Sequence, residues 1–111
     1  MNPFQVDVSA NFKREAKALV KRHKSLAQDI ANLIDKLKTD PQQGTPIGQG
    51  CYKIRLAISS KGRGKSGGAR VITYVALIDD RVVLLSIYDK ADQADIADNF
   101  VGQLLREAGI N

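Results

Sequence analysis

The chain has one cysteine, one histidine and no tryptophan among its 111 residues. A lone cysteine permits no internal disulfide, so nothing in the covalent chemistry asks for an oxidising compartment. A lone histidine, His23, excludes a two-histidine ribonuclease mechanism and leaves no Cys/His set for zinc. No apolar run approaches the roughly 18–20 residues of a membrane span. The opening residues, MNPFQVDVS, lack the basic and apolar blocks of a signal peptide. These absences point to a soluble, cytoplasmic protein with no membrane partner. The ordinary apolar fraction and the lack of a linker or repeat imply one domain over residues 1–111, large enough to bury a core.

Acidic residues are missing from Pro41 through Ile78. That window carries Lys53, Arg55, Lys61, Arg63, Lys65 and Arg70, whereas the rest of the chain holds slightly more acids than bases. The net charge of +5 therefore belongs to one central segment. Such a surface suits a polyanion, through phosphate contacts and release of counterions.

Hydropathy patterning predicts the order β-α-α-β-β-β-α, an α+β class. Phe4, Val6 and Val8 alternate with polar residues as a short strand. Ser9 follows as a helix cap, and Phe12, Ala16, Leu19, Val20 and His23 keep helical spacing. Ser25 with Gln28 fits a capping box for a second helix, whose stripe is Leu26, Ile30, Leu33, Ile34 and Leu37. TDPQQGTPIGQG reads as a loop. Three strands follow, CYKIRLAI, ARVITYVALI and RVVLLSIY, with Asp79 and Asp80 in a tight turn between the last two. Asp92 is positioned to cap a final helix with Ala97, Phe100, Val101, Leu104, Leu105 and Ala108 as its stripe. The expected architecture is a small, mainly antiparallel sheet, a meander with the first strand at an edge or beside the last. Two N-terminal helices pack on one face and a C-terminal helix follows. With all helices on one face, Lys53 and Arg55 would point from the open one.

Two motif fragments lie in SSKGRGKSGGARVITY. Gly62, Gly64 and Gly67 have G-x-G-x-x-G spacing, and Gly64, Lys65 and Ser66 end like a phosphate-binding P-loop. Both motifs need a strand before and a helix after, since the helix N-terminus holds the phosphates. A strand-like segment follows here, and Ser59 stands where the P-loop needs its first glycine. No cofactor is expected. Asp89, Asp92, Asp95 and Asp98 suit a helix dipole partner and a solvated face better than a metal site, so no metal is expected either. Cys51 reads as a small buried residue.

Cations on strands remain. Lys53 and Arg55 are two apart and share a face. Arg70 begins the next strand and Lys90 follows the one after, so an antiparallel meander brings the four together. The alternative is a set of solvated cations or salt bridges to Asp79, Asp89 or Asp92. Convergent cations permit RNA chemistry without a metal. Neighbouring positive charges disfavour protonation of a lysine, and a neutral Lys53 takes a proton from a ribose 2′-OH. Arginines stabilise the phosphorane. The products are a 2′,3′-cyclic phosphate and a 5′-OH, and DNA lacks the nucleophile.

CYKIRLA followed by SGGARVITYVALIDDRVVLLSIYDK closely resembles the core of the RelE-like toxins of bacterial toxin–antitoxin pairs. The glycine-rich basic insert is similar to the HigB-type branch of the RelE/ParE superfamily. The resemblance spans nearly the whole chain. It implies ribosome-dependent mRNA cleavage that needs no metal, inhibition of translation, and a cognate antitoxin laid over the basic face. It implies that Lys53 and Arg55 act on the nucleophile and phosphate, Arg70 on the transition state, and Lys90 on the leaving group or phosphate. Lys61, Arg63 and Lys65 would follow an RNA backbone, of ribosome or message. The chain departs from the family at Ile96, where a base-stacking tyrosine is usual, which leaves Tyr74 and Tyr88 as candidates for stacking. Two other classes compete: a ParE-like gyrase poison that cuts nothing, and a nonenzymatic RNA- or ribosome-binding module.

Overall fold

A computed structural model describes residues 3–62, 64, 67–93 and 98–110, with Asp98 and Asn99 described by backbone alone. Arg63, Lys65, Ser66, Asp95, Ile96 and Ala97 lie outside the described residues, as do the side chain of Asp98 and the roles expected of these positions. The elements run β1 (Gln5–Val8), α1 (Ala10–Arg22), α2 (Leu26–Leu37), β2 (Thr45–Gly48), β3 (Cys51–Leu56), a 3-10 turn (Ser59–Lys61), β4 (Ala69–Ala76), β5 (Arg81–Asp89) and α3 (Asp98–Glu107). The fold is α+β, as expected. No helix among the described residues is long and apolar enough to cross a membrane.

The strands form one sheet in the order β1-β5-β4-β3-β2. β3, β4 and β5 are the expected antiparallel meander. β1 is an edge strand and runs parallel to β5, with Gln5 opposite Arg81. The turn between β4 and β5 spans residues 77–80, and Asp80 takes a positive φ of 50° there. β2 corrects the sequence reading, which made this segment a loop. It pairs with β3 through Thr45 opposite Lys53 and Pro46 opposite Tyr52. Gly44 makes that pairing possible: its φ is +93°, and a Cβ would collide with the Lys53 carbonyl.

The helices do not share one face. α1 and α2 cover one side, where Phe12, Leu19, Leu26, Ile30, Leu33 and Leu37 pack on Ile54, Val71, Val82, Leu84 and Ile87. α3 covers part of the other, with Val101, Leu104 and Leu105 against Cys51, Ile72, Val83 and Leu85. The apolar content of β4 and β5 explains this. Val71 and Ile72 are adjacent, as are Val82 to Leu85, so each strand presents apolar groups to both faces.

Ser9 caps α1 as expected, its hydroxyl accepting from the Phe12 N–H at 3.0 Å. The capping box at α2 does not form. The Ser25 hydroxyl donates to Asp29 at 2.9 Å, and Gln28 reaches Asn32. Asp92 accepts from Arg22 at 2.9 Å, and the approach to α3, with the cap expected there, lies outside the described residues.

A β-bulge decides which way the last residues of β5 face. Ile72 pairs with Ser86 but Thr73 pairs with Leu84, so Leu85 is an extra residue. α1 satisfies the disrupted backbone. Ser9 and Asn11 donate to the Leu85 carbonyl at 3.2 and 3.0 Å, and Glu15 accepts from the Ser86 hydroxyl and the Ile87 N–H at 2.8 and 3.3 Å. The extra residue reverses the alternation: Leu85 faces α3, whereas Ile87 faces α1 and α2.

Candidate active site

Tyr52, Ile54 and Leu56 of β3 point to the core under α1 and α2. Strand alternation therefore sends Lys53 and Arg55 to the α3 side. On β4, Ala69 and Val71 belong to the first core and Ile72 to the second, so Arg70 also points to the α3 side. Arg55 lies directly opposite Arg70, and Arg70 directly opposite Tyr88. Residues so paired have Cβ atoms about 5 Å apart. Arg55, Arg70 and Tyr88 thus form one cross-strand rung. Lys53 is on the next rung, opposite Ile72. Lys90 continues past the end of β5, its N–H donating to the Gly68 carbonyl at 3.1 Å. Lys90 thus stands in the turn at the same end of the sheet.

Arg70 is only 4 % exposed, and one of its nitrogens donates to the Ala69 carbonyl at 3.1 Å. Arg55 and Lys90 are exposed and Lys53 is half-buried. Chemically, the row is a set of fixed donors and positive charges that suits an anion whose charge grows during a reaction.

The opposite face at the same end of the sheet holds a buried carboxylate. Asp89 pairs across to Ala69 and is 1 % exposed. It accepts from Lys61 at 2.8 Å, from the Ala91 N–H at 3.0 Å, and contacts His23 Nε2 at 2.9 Å, with Arg22 at 3.8 Å. Burial pushes its carboxyl up, but the Lys61 hydrogen bond, the Ala91 N–H, His23 and the Lys61 charge outweigh this and hold it down at about 2. A second buried carboxylate, Asp29, accepts from the Ser59 N–H, the Ser59 hydroxyl and the Ser25 hydroxyl. There too burial raises the pKa, and the Ser59 and Ser25 bonds more than offset it. The two carboxylates hold the two ends of the 3-10 turn that opens the basic insert.

A family model described as the RelE toxin of the RelE / RelB toxin–antitoxin system matches residues 5–109. The chain belongs to the RelE toxin family. A mutant of the E. coli toxin RelE with two arginines replaced by alanine, solved in the free state, is 18% identical. Its likeness has a TM-score of 0.60 and covers 98% of this chain and 96% of that one. The RelBE2 toxin–antitoxin complex from Mycobacterium tuberculosis contains a chain 22% identical, with a TM-score of 0.60 over 83% of this chain and 97% of that one. At these identities the structures speak to the fold.

Within this RelE fold, Lys53, Arg55, Arg70 and Tyr88 share one face and one end of the sheet, and Lys90 lies in the turn at that end. Tyr74 shares the face but packs beside α3, opposite Cys51 and Val83. Four residues along β4 separate it from Arg70, roughly 13 Å. Tyr88 is 6 % exposed, so its ring is not open to a base in this structure. Lys61 is turned to the far face, where its ammonium binds Asp89 and, at 3.2 Å, the Gly67 carbonyl. Sequence reasoning gave Asp89 a solvated face and missed Glu15 and Asp29. The signal for Asp89 was its place at the end of a largely apolar strand, where a carboxylate must find partners. The Cys51 thiol is buried, which pushes its pKa up to about 11.

Proposed function

We propose that this RelE-family toxin is a ribosome-dependent mRNA endoribonuclease that uses side chains in place of a metal, and that a cognate antitoxin holds it inactive. The observation that carries this reading is the Arg55–Arg70–Tyr88 rung, with Lys53 on the same face and Lys90 in the turn at that end of the sheet. Cations gathered at one end of a sheet suit a polyanionic ligand, whose phosphates they can meet together.

In the proposed reaction, Lys53 serves as the general base and takes the proton of a ribose 2′-OH as its oxygen attacks phosphorus. Arg55 and Arg70 balance the charge that builds on the non-bridging oxygens. The bond from phosphorus to the 5′-oxygen breaks, and Lys90 supplies that oxygen with a proton. The products are a 2′,3′-cyclic phosphate and a 5′-OH. The M. tuberculosis toxin–antitoxin complex supports an antitoxin partner for this chain. Covering the cationic face would be sufficient to silence it.

Expression of the chain alone, with mapping of mRNA 5′ ends, tests the reading. Codon-phased cuts bearing 5′-OH ends are expected, and Arg70→Ala should lower cleavage by about 10²–10³-fold. Growth arrest by Arg70→Ala equal to the parent's would overturn the assignment. Arrest with damaged DNA and intact mRNA would point instead to gyrase.

A further inference from the structure

The residue next to Lys90 is a buried carboxylate held from the end of α1, the root of the insert and the turn after β5, and none of these contacts lies in the row. Asp89 sits between Tyr88, which faces Arg70, and Lys90. We propose that Asp89 is a positioning residue for the reaction: it templates the turn that carries Lys90. This rests on the reading of the row as the reactive site.

Three observations carry it. First, the turn around Lys90 is built by Asp89. Its side chain accepts from the Ala91 N–H at 3.0 Å, and its carbonyl accepts from the Asp92 and Gln93 N–H groups at 3.0 and 3.4 Å. An aspartate bonded to the backbone two residues on fixes the residue between, which here is Lys90. Second, the carboxylate is anchored from two other elements, by His23 and Arg22 at the end of α1 and by Lys61 at the root of the insert. The end of β5 therefore cannot shift without breaking a buried ion pair. Third, the charge is answered on the far face. Lys61 is 19% exposed and His23 14%, and both are committed to Asp89. The carboxylate thus has its own counter-ions and does not draw Lys90 or Arg70 out of the row. Reactive groups need this kind of support, because small displacements cost large factors in rate.

The test compares the parent, Asp89→Asn, Lys90→Ala and the double variant in single-turnover cleavage on programmed ribosomes, at a temperature where circular dichroism shows each folded. Asp89→Asn should slow cleavage at saturating ribosome at least tenfold, with the half-saturating concentration within twofold of the parent's. In the Lys90→Ala background the same change should cost less than twofold, because its target is already gone. Equal losses in both backgrounds, or a parental rate, would overturn the proposal. A second readout does not need cleavage. After reductive methylation with 13C-formaldehyde, the Lys90 resonance, assigned by its loss in Lys90→Ala, should be shifted from the random-coil position in the parent and move toward it in Asp89→Asn. An unmoved resonance counts against the proposal. A parent that cuts no mRNA but shows the shift sinks the proposed reaction and leaves the positioning intact. Should Asp89→Asn fail to fold, Lys61→Met removes one anchor from the far face. It should move the Lys90 resonance the same way, and no movement there also refutes the idea.

Discussion

Lowering the pH should unfasten Asp89 and weaken the fold by an amount the site geometry sets. Its carboxyl titrates at about 2 in the folded chain, against roughly 3.9 in an unfolded one. The folded form therefore holds the charged state more strongly. The stabilisation is complete above about pH 5, falls as pH drops through the unfolded value, and is gone below about 2, a total of about 2 kcal/mol. Urea denaturation followed by circular dichroism at several pH values from 5 to 2 reads it, with Asp89→Asn as reference. Asp29 and the other carboxyls titrate in both proteins and cancel in the difference. Between pH 5 and 2 the gap between parent and variant should close by about 2 kcal/mol. That is about 1–2 M in urea midpoint for a chain of this size. Parallel curves across the whole range would refute the ionic account of this network, since the carboxylate would then gain nothing from Lys61 and His23.

Two more changes have outcomes that the packing fixes. Gly68→Ala puts a Cβ well inside contact distance of the Leu56 carbonyl oxygen and close to the Ala57 backbone, so β3 and β4 must part; thermal unfolding should show a loss of about 2 kcal/mol or more. Cys51 is 1 % exposed with its pKa raised to about 11, so a disulfide reagent at pH 8 should leave the native thiol unmodified while labelling it readily in urea.

Much of the fold could be read from periodicity because the decisive segments are locally consistent. The stripes of α1 and α2, the alternation of β3 and the long apolar runs of β4 and β5 each had one good reading. The rest depended on distant parts of the chain. β2 was hidden because Gly44, Pro46 and Gly48 look like breaks, and only the Lys53 carbonyl shows why a glycine is needed there. The side taken by α3 was legible in principle, since runs such as Val82 to Leu85 imply two covered faces. The bulge at Leu85 was not legible. Its cost is met by Ser9, Asn11 and Glu15, about seventy residues away in the chain. Without it, strict alternation would have placed Tyr88 with Leu84 under α1. For the candidate site, Lys53, Arg55, Arg70 and Lys90 came from spacing and resemblance; the rungs of the sheet set Arg55 opposite Arg70 with Lys53 on the next, and Lys90 follows in the turn after β5. The inward turn of Lys61 had no local sign, because its partner is 28 residues on.

The parallel pairing of β1 with β5 also sets an order of events while the chain is being made. Ser9 finds the Leu85 carbonyl 76 residues later, which at about 5–20 residues per second is roughly 4–15 s of translation. Until then β1 has no strand beside it, α1 has no sheet to lie on, and the rung of Arg55, Arg70 and Tyr88 is incomplete. For a toxin this connectivity amounts to a built-in delay: the emerging polypeptide remains unassembled until β5 has been synthesised.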